Sequence, residues 1–100
     1  MVEVDIRGQE NQKHVEIKVI GLVQGVFFRY EAKMLAEKLG LTGFVRNEPD
    51  ASVVIIAEGE EERLQKLINW AKVGTKWSKI ESIKVEWRNA AGKFNGFEIL

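Results

Sequence analysis

Two periodicities alternate along this chain, and their order leaves few folds open. His14 to Ile20 alternates polar and apolar residues, which places Val15, Ile17 and Val19 on one face of a strand. Phe28, Ala32, Leu35, Ala36 and Leu39 then recur at helical spacing on one face, and Gly40 stops the helix. Gly43 to Asn47 is again strand-like, and Asn47 to Ala51 is a turn around the single proline, Pro49. Ser52 to Glu58 is β-branched and apolar, a buried strand antiparallel to the one before it. A second helix opens at Gly59-Glu60-Glu61-Glu62, whose acidic first turn complements the helix dipole. It buries Leu64, Leu67, Ile68 and Ala71 and ends at Gly74. Ile80 to Trp87 alternates once more, with Ile83, Val85 and Trp87 on one side, and Phe94 to Leu100 makes a final short strand.

Strand, helix, strand, strand, helix, strand is a doubled βαβ order. It implies an α+β fold: a ferredoxin-like split βαβ sandwich, an antiparallel sheet with two helices on one face. The domain spans residues 14–100, and residues 1–13 form a polar N-terminal arm in which Val4 and Ile6 have some capacity to pair with a sheet edge. Such a fold hosts many functions, so function has to be read from particular residues.

Charge narrows the field. Fifteen basic and fifteen acidic residues cancel, leaving no global field to draw a polyanion. Nucleic acid is therefore not an expected partner, and an anion site, if there is one, is local and suited to a small ligand. The chain has no cysteine, which excludes disulfides, thiolate catalysis and thiolate metal sites. No metal-ligand cluster or cofactor motif stands out. The longest wholly apolar run, Val53 to Ala57, is too short to span a bilayer, and the N-terminus lacks an apolar signal core. The expectation is a cytoplasmic monomer without a membrane partner.

Gly21-Leu22-Val23-Gln24-Gly25-Val26-Phe27-Phe28-Arg29 lies between the first strand and the first helix. The first amides of a helix have no internal partners. Gly25 lets the backbone approach a ligand, and Arg29 offers parallel donors to two phosphate oxygens. The loop reads either as a nest for a tetrahedral anion or as a plain glycine turn. It lacks both the Gly-Lys-Ser/Thr of nucleotide hydrolases and the three-glycine dinucleotide fingerprint. Elsewhere the bland readings lead. The lone His14 is structural or solvated, and Glu60 to Glu62 is a solvated face. Trp87 is core, Trp70 and Trp77 pack at the end of the second helix, and Tyr30 and Met34 pack beside the core stripe.

As a string the loop, Gly21-x-Val23-Gln24-Gly25-Val26-x-Phe28-Arg29, resembles the signature of the acylphosphatase family. The resemblance continues through Ala36-x-x-Leu39-Gly40-Leu41-Thr42-Gly43-Phe44-Val45-x-Asn47, Asp50-x-x-Val53, Ala57-Glu58-Gly59 and Phe94-x-Gly96-Phe97-x-Ile99. It implies hydrolysis of acyl phosphates, carboxyl–phosphate mixed anhydrides, to carboxylate and inorganic phosphate, without metal or cofactor. By similarity Arg29 binds the phosphate. The backbone amides of Gln24, Gly25, Val26, Phe27 and Phe28 cradle it, Asn47 holds the attacking water, and a phosphate oxygen of the substrate takes the water's proton. The chain departs from the family's pattern in places. Ala51 replaces a glycine, Phe44 replaces a tryptophan, and Gly74-Thr75-Lys76-Trp77 lacks the usual prolines. If position 51 requires positive φ, the alanine strains the turn that places Asn47. Two alternatives accompany this reading: a non-catalytic phosphate- or carboxylate-binding module, and a domain detached from a larger maturation enzyme, against which the end at residue 100 and the missing cysteines count.

Overall fold

The computed structural model describes residues 1–3 and 12–100; most of the polar arm, with Val4 and Ile6, lies outside the described residues. The elements are β1 (Gln12–Leu22), α1 (Phe28–Lys38), β2 (Thr42–Asn47), β3 (Val53–Glu60), α2 (Glu61–Val73), β4 (Lys79–Asn89) and β5 (Phe97–Ile99). They form one sheet in the order β4-β1-β3-β2-β5. Val15, Ile17 and Val19 of β1 are fully buried, and they face Ala57, Ile55 and Val53 of β3 across an antiparallel ladder. Both helices cover this face. α1 lays Phe28, Ala32 and Ala36 onto the sheet, and α2 lays down Leu64, Leu67, Ile68 and Ala71, as their spacing requires.

The helix and strand ends follow local chemistry. At the end of α1, Gly40 turns left-handed at φ 69°, the amide of Leu41 donates to Ala36 O and that of Gly40 to Glu37 O. This pair of bonds closes the last carbonyls of the helix. β3 runs two residues further than its apolar stretch suggests, so Gly59 and Glu60 belong to the strand and α2 starts at Glu61. The ladder bond partners of Gln12 and Lys13 hold these residues extended.

Several expectations need correction. The sheet is mixed: β5 is only Phe97–Ile99 and pairs in parallel with β2, Val45 lying opposite Ile99. The cause is the path of residues 90–96, which returns the chain from β4 at one edge to the opposite edge. Glu58 fixes that path. Its buried carboxylate accepts the amides of Ala91 (3.0 Å) and Gly92 (2.9 Å) and the Nδ1 of His14 (2.7 Å). Phe94 is therefore not in a strand; it stacks on His14 and meets Phe44 edge-on at 5.8 Å. Lys33 of α1 donates to Phe97 O at 2.8 Å and ties the short strand down.

The second correction concerns Trp87. It pairs with Val15 on the helix side of the sheet, as its spacing indicates, yet it is 39% exposed, and Val85 beside it is 37% exposed. Among the described residues β4 is an edge strand bonded only to β1; its Ile80 and Ile83 pack against the core, whereas Val85 and Trp87 toward its other end stay more than a third exposed. Trp70 packs on Phe28 as expected, with ring centroids 4.7 Å apart. Tyr30 and Met34 do not pack: both are more than half exposed.

Candidate active site

A bulge between Ile20 and Gly21 shifts the β1–β4 register, and the ladder continues through Gly21 and Leu22 into the glycine-bearing loop. Val23 is buried and anchors the loop. Gly25 then stands at φ 74° with open space where a Cβ would be, and Phe27 at φ 63°, ψ 14° caps α1. No side chain caps this helix. Among the described residues, no protein acceptor takes the amides of Gln24, Gly25, Val26 or Phe27. The result is a run of unused donors at a helix N-terminus, the arrangement in which backbone binds a tetrahedral anion.

Arg29, the second residue of α1, is half-buried at this same end. Its Nη1 donates to Leu100 O at 3.2 Å. Leu100 in turn donates its amide to Val45 O at 2.9 Å, so the guanidinium is tied to the end of β2, two residues before Asn47. Among the described residues no Asp or Glu side chain pairs with it. Gly25, Phe27, Arg29, Tyr30 and Ile99 line a cleft of about 300 Å³ against Val23 and Phe28.

Asn47 is the last residue of β2, paired with Val53. Since it is two residues beyond buried Val45, it shares the helix side of the sheet. Its Oδ1 is buried with no hydrogen-bond partner among the described residues. A buried carboxamide oxygen left open is costly, and it is suited to a water or a ligand. The predicted residues thus gather at one end of the sheet: the loop amides, Arg29 beside β2, and Asn47 at the end of β2.

The turn that follows Asn47 is held from two sides. On the open face, Lys18 Nζ lies 2.8 Å from Asp50 Oδ2, and Asp50 Oδ1 also accepts the hydroxyl and amide of Ser52. The Lys18 ammonium, with Ser52, holds the Asp50 carboxyl well below the usual carboxylate range, while Asp50 pushes Lys18 up. From the loop side, Gln24 Nε2 donates to both Glu48 O (2.9 Å) and Ser52 O (3.0 Å). Position 51 does require positive φ: Ala51 stands at 74°.

Two contributors were not singled out by sequence reasoning. The Gln24 side chain joins the anion loop to the Asn47 turn, whereas the sequence pointed only to its amide. Thr75, 5% exposed, donates its hydroxyl to Val26 O at 2.9 Å and braces the loop from the α2–β4 connection. The lack of prolines at 74–77 was the only sequence signal there. Trp77 does not pack at the end of α2; it meets Phe27, with centroids 5.2 Å apart, and is 50% exposed.

Comparisons with known proteins agree with this arrangement. A family model described as Acylphosphatase matches residues 15–99. The acylphosphatase of Caldanaerobacter subterraneus subsp. tengcongensis is 36% identical over 88 residues, covering 88% of this chain and 98% of the relative. That of Pyrobaculum calidifontis is 44% identical over 85 residues, covering 84% of this chain and 77% of the relative. The crystal structure of acylphosphatase from Bacillus subtilis superposes with a TM-score of 0.85 at 39% identity, covering 88% of this chain and 98% of that one. The match spans every element from β1 to β5, and the chain belongs to the acylphosphatase family.

Proposed function

We propose that Arg29 and the amides of Gln24 to Phe28 hold the phosphoryl group of an acyl phosphate, and that Asn47 holds the water that attacks it. The protein is an acylphosphatase, an acyl phosphate hydrolase. The observation that carries the residue assignment is the coincidence, at one end of the sheet, of unused loop amides, a guanidinium without an Asp or Glu partner among the described residues, and an unpartnered buried carboxamide oxygen.

The chemistry asks little more of the protein. A carboxylate is a good leaving group, so no acid is needed to expel it. Charge on the equatorial phosphoryl oxygens is met by Arg29 and the loop amides. The Asn47 oxygen accepts a hydrogen bond from the water and aims it in line with the bond that breaks. Water oxygen bonds to phosphorus, the phosphorus–acyl oxygen bond breaks, and the carboxylate leaves. The Asn47 carboxamide cannot itself take a proton near neutral pH. As the family resemblance implies, the water's proton passes to an oxygen of the phosphoryl group itself. No step calls for a metal, and the small neutral-charge domain acts on a small molecule as a cytoplasmic monomer.

The test is benzoyl phosphate hydrolysis in the presence of a chelator, with competition by inorganic phosphate. Arg29→Ala lowers kcat/KM by about 10²–10³-fold and weakens phosphate inhibition. Asn47→Ala loses turnover on a similar scale while phosphate inhibition is kept. Equal loss of phosphate binding in both variants refutes the water-holding role. Wild-type protein that is protected by phosphate yet hydrolyses nothing supports the non-catalytic binding module instead.

A further inference from the structure

The cleft beside Arg29 has two chemically different parts. Gly25 and Arg29 form its polar part, and Phe27, Tyr30 and Ile99 supply exposed carbon. Phe27 is 63% exposed, Tyr30 57% and Ile99 40%. Phe27 is the most constrained of the three. It holds a left-handed conformation that a residue with a Cβ adopts only under strain, and its ring is turned out of the core. Trp77 stands behind it, with the rings tilted 54° and centroids 5.2 Å apart. The segment that carries Trp77 is fastened to the loop: Thr75 Oγ1 donates to Val26 O, and the Trp77 amide donates to Thr75 Oγ1 at 3.3 Å. Two chain segments thus present a braced aromatic pair at the rim of the phosphate cradle.

We infer that Phe27, backed by Trp77, forms the acyl subsite of the enzyme and favours flat, apolar acyl groups over short ones. This rests on the assignment of the phosphoryl group to Arg29 and the loop amides. In-line displacement places the leaving carboxylate on the side of phosphorus opposite the attacking water. The Asn47 oxygen that receives the water is buried and lies outside the lining of this cleft, so the acyl group, opposite the water, is assigned to the cleft where Phe27, Tyr30 and Ile99 stand. An aromatic acyl group covers the Phe27 ring in that position, and an acetyl group is too short to do so.

The experiment compares kcat/KM for benzoyl phosphate and acetyl phosphate in wild type, Phe27→Gly, Phe27→Tyr and Trp77→Ala. Glycine accepts the left-handed φ, so the loop keeps its shape when the ring is removed. Phe27→Gly lowers the benzoyl-to-acetyl preference by about three- to tenfold, the worth of one aromatic contact, chiefly through KM for benzoyl phosphate. Phe27→Tyr restores the preference, and Trp77→Ala lowers it by less. An unchanged preference in Phe27→Gly, or an equal loss on both substrates, overturns the subsite. Failure of the phosphate assignment has its own readout: inhibition by inorganic phosphate that survives in Arg29→Ala overturns that assignment, and the subsite with it.

Discussion

Replacing Ala51 with glycine should make this protein more stable. Ala51 stands at φ 74° in the turn between β2 and β3, with its side chain exposed and its amide donating to Glu48 O at 3.1 Å. A Cβ in the left-handed region costs about 1–2 kcal/mol. Glycine removes that cost but loses about 0.5–1 kcal/mol through the greater freedom of the unfolded chain. The exposed methyl group has no packing to lose, and the turn's hydrogen bonds are made by backbone and by other residues. The difference is about 0.5–1 kcal/mol in favour of glycine, or about 2–8 °C in Tm for a domain of this size. Urea and thermal unfolding at neutral pH, followed by circular dichroism, measure it. The urea slope should be unchanged, because the surface exposed on unfolding is the same. A variant that is no more stable than wild type at unchanged slope refutes the strain argument. The kinetic constants should stay within about threefold of wild type, since glycine accepts the φ the turn already has and Asn47 is not displaced.

Gln24→Ala keeps the loop amide but removes the side-chain donor shared by Glu48 O and Ser52 O, which keep only the backbone amides of Ala51 and Glu48. It should lower kcat by about 10–100-fold through misplacement of Asn47, with a smaller effect on phosphate inhibition and a stability loss of about 1–2 kcal/mol. The Lys18–Asp50 pair gives an acid limb. Because the folded Asp50 carboxyl is held low, its stabilisation is present above the unfolded carboxylate range, near about pH 4, and is lost as pH falls from there toward the folded value. Asp50→Asn should flatten that part of the stability–pH profile, and a profile of unchanged steepness would refute the assignment.

Most of the fold was legible because one variable, the apolar period, decides it. Val15, Ile17 and Val19, and the faces of both helices, sit where the pattern puts them, because a buried face has to be continuous to exclude water. Trp87 shows where this reasoning stops. Its spacing correctly gives its side of the sheet, but burial depends on whether a helix lies above it, and β4 is at the margin. The direction of β5 was equally out of reach, since it depends on a long-range bond set from Glu58 to the amides of Ala91 and Gly92. Within the candidate site, Arg29 and Asn47 were proposed from the motif string, and the turn at Ala51 was flagged by its departure from glycine. The Gln24 and Thr75 side-chain bonds were not found, because a polar residue in a loop has many possible acceptors and only the folded chain selects among them.

Strain is distributed in a way that argues for one preorganised unit. Among the described residues, the two non-glycine residues with positive φ are Phe27 and Ala51, and they lie in the two segments that carry the proposed phosphate cradle and the proposed water ligand. Strained backbone persists only where neighbouring contacts over-determine it. Those contacts are present here: Thr75 braces the loop at Val26, Lys18 and Ser52 brace the turn at Asp50, and Gln24 spans the two segments. For a hydrolase that works by holding a phosphoryl group and aiming a water, the quantity that matters is the fixed offset between those segments. Gln24 is the side chain that sets it directly, bonding from the loop to both ends of the turn. It follows that relieving strain at Ala51 alone should leave catalysis intact, whereas cutting the Gln24 bridge should not. If Ala51→Gly, combined with Gln24→Ala, restored stability without restoring kcat, the bridge would be shown to act through position rather than through stability.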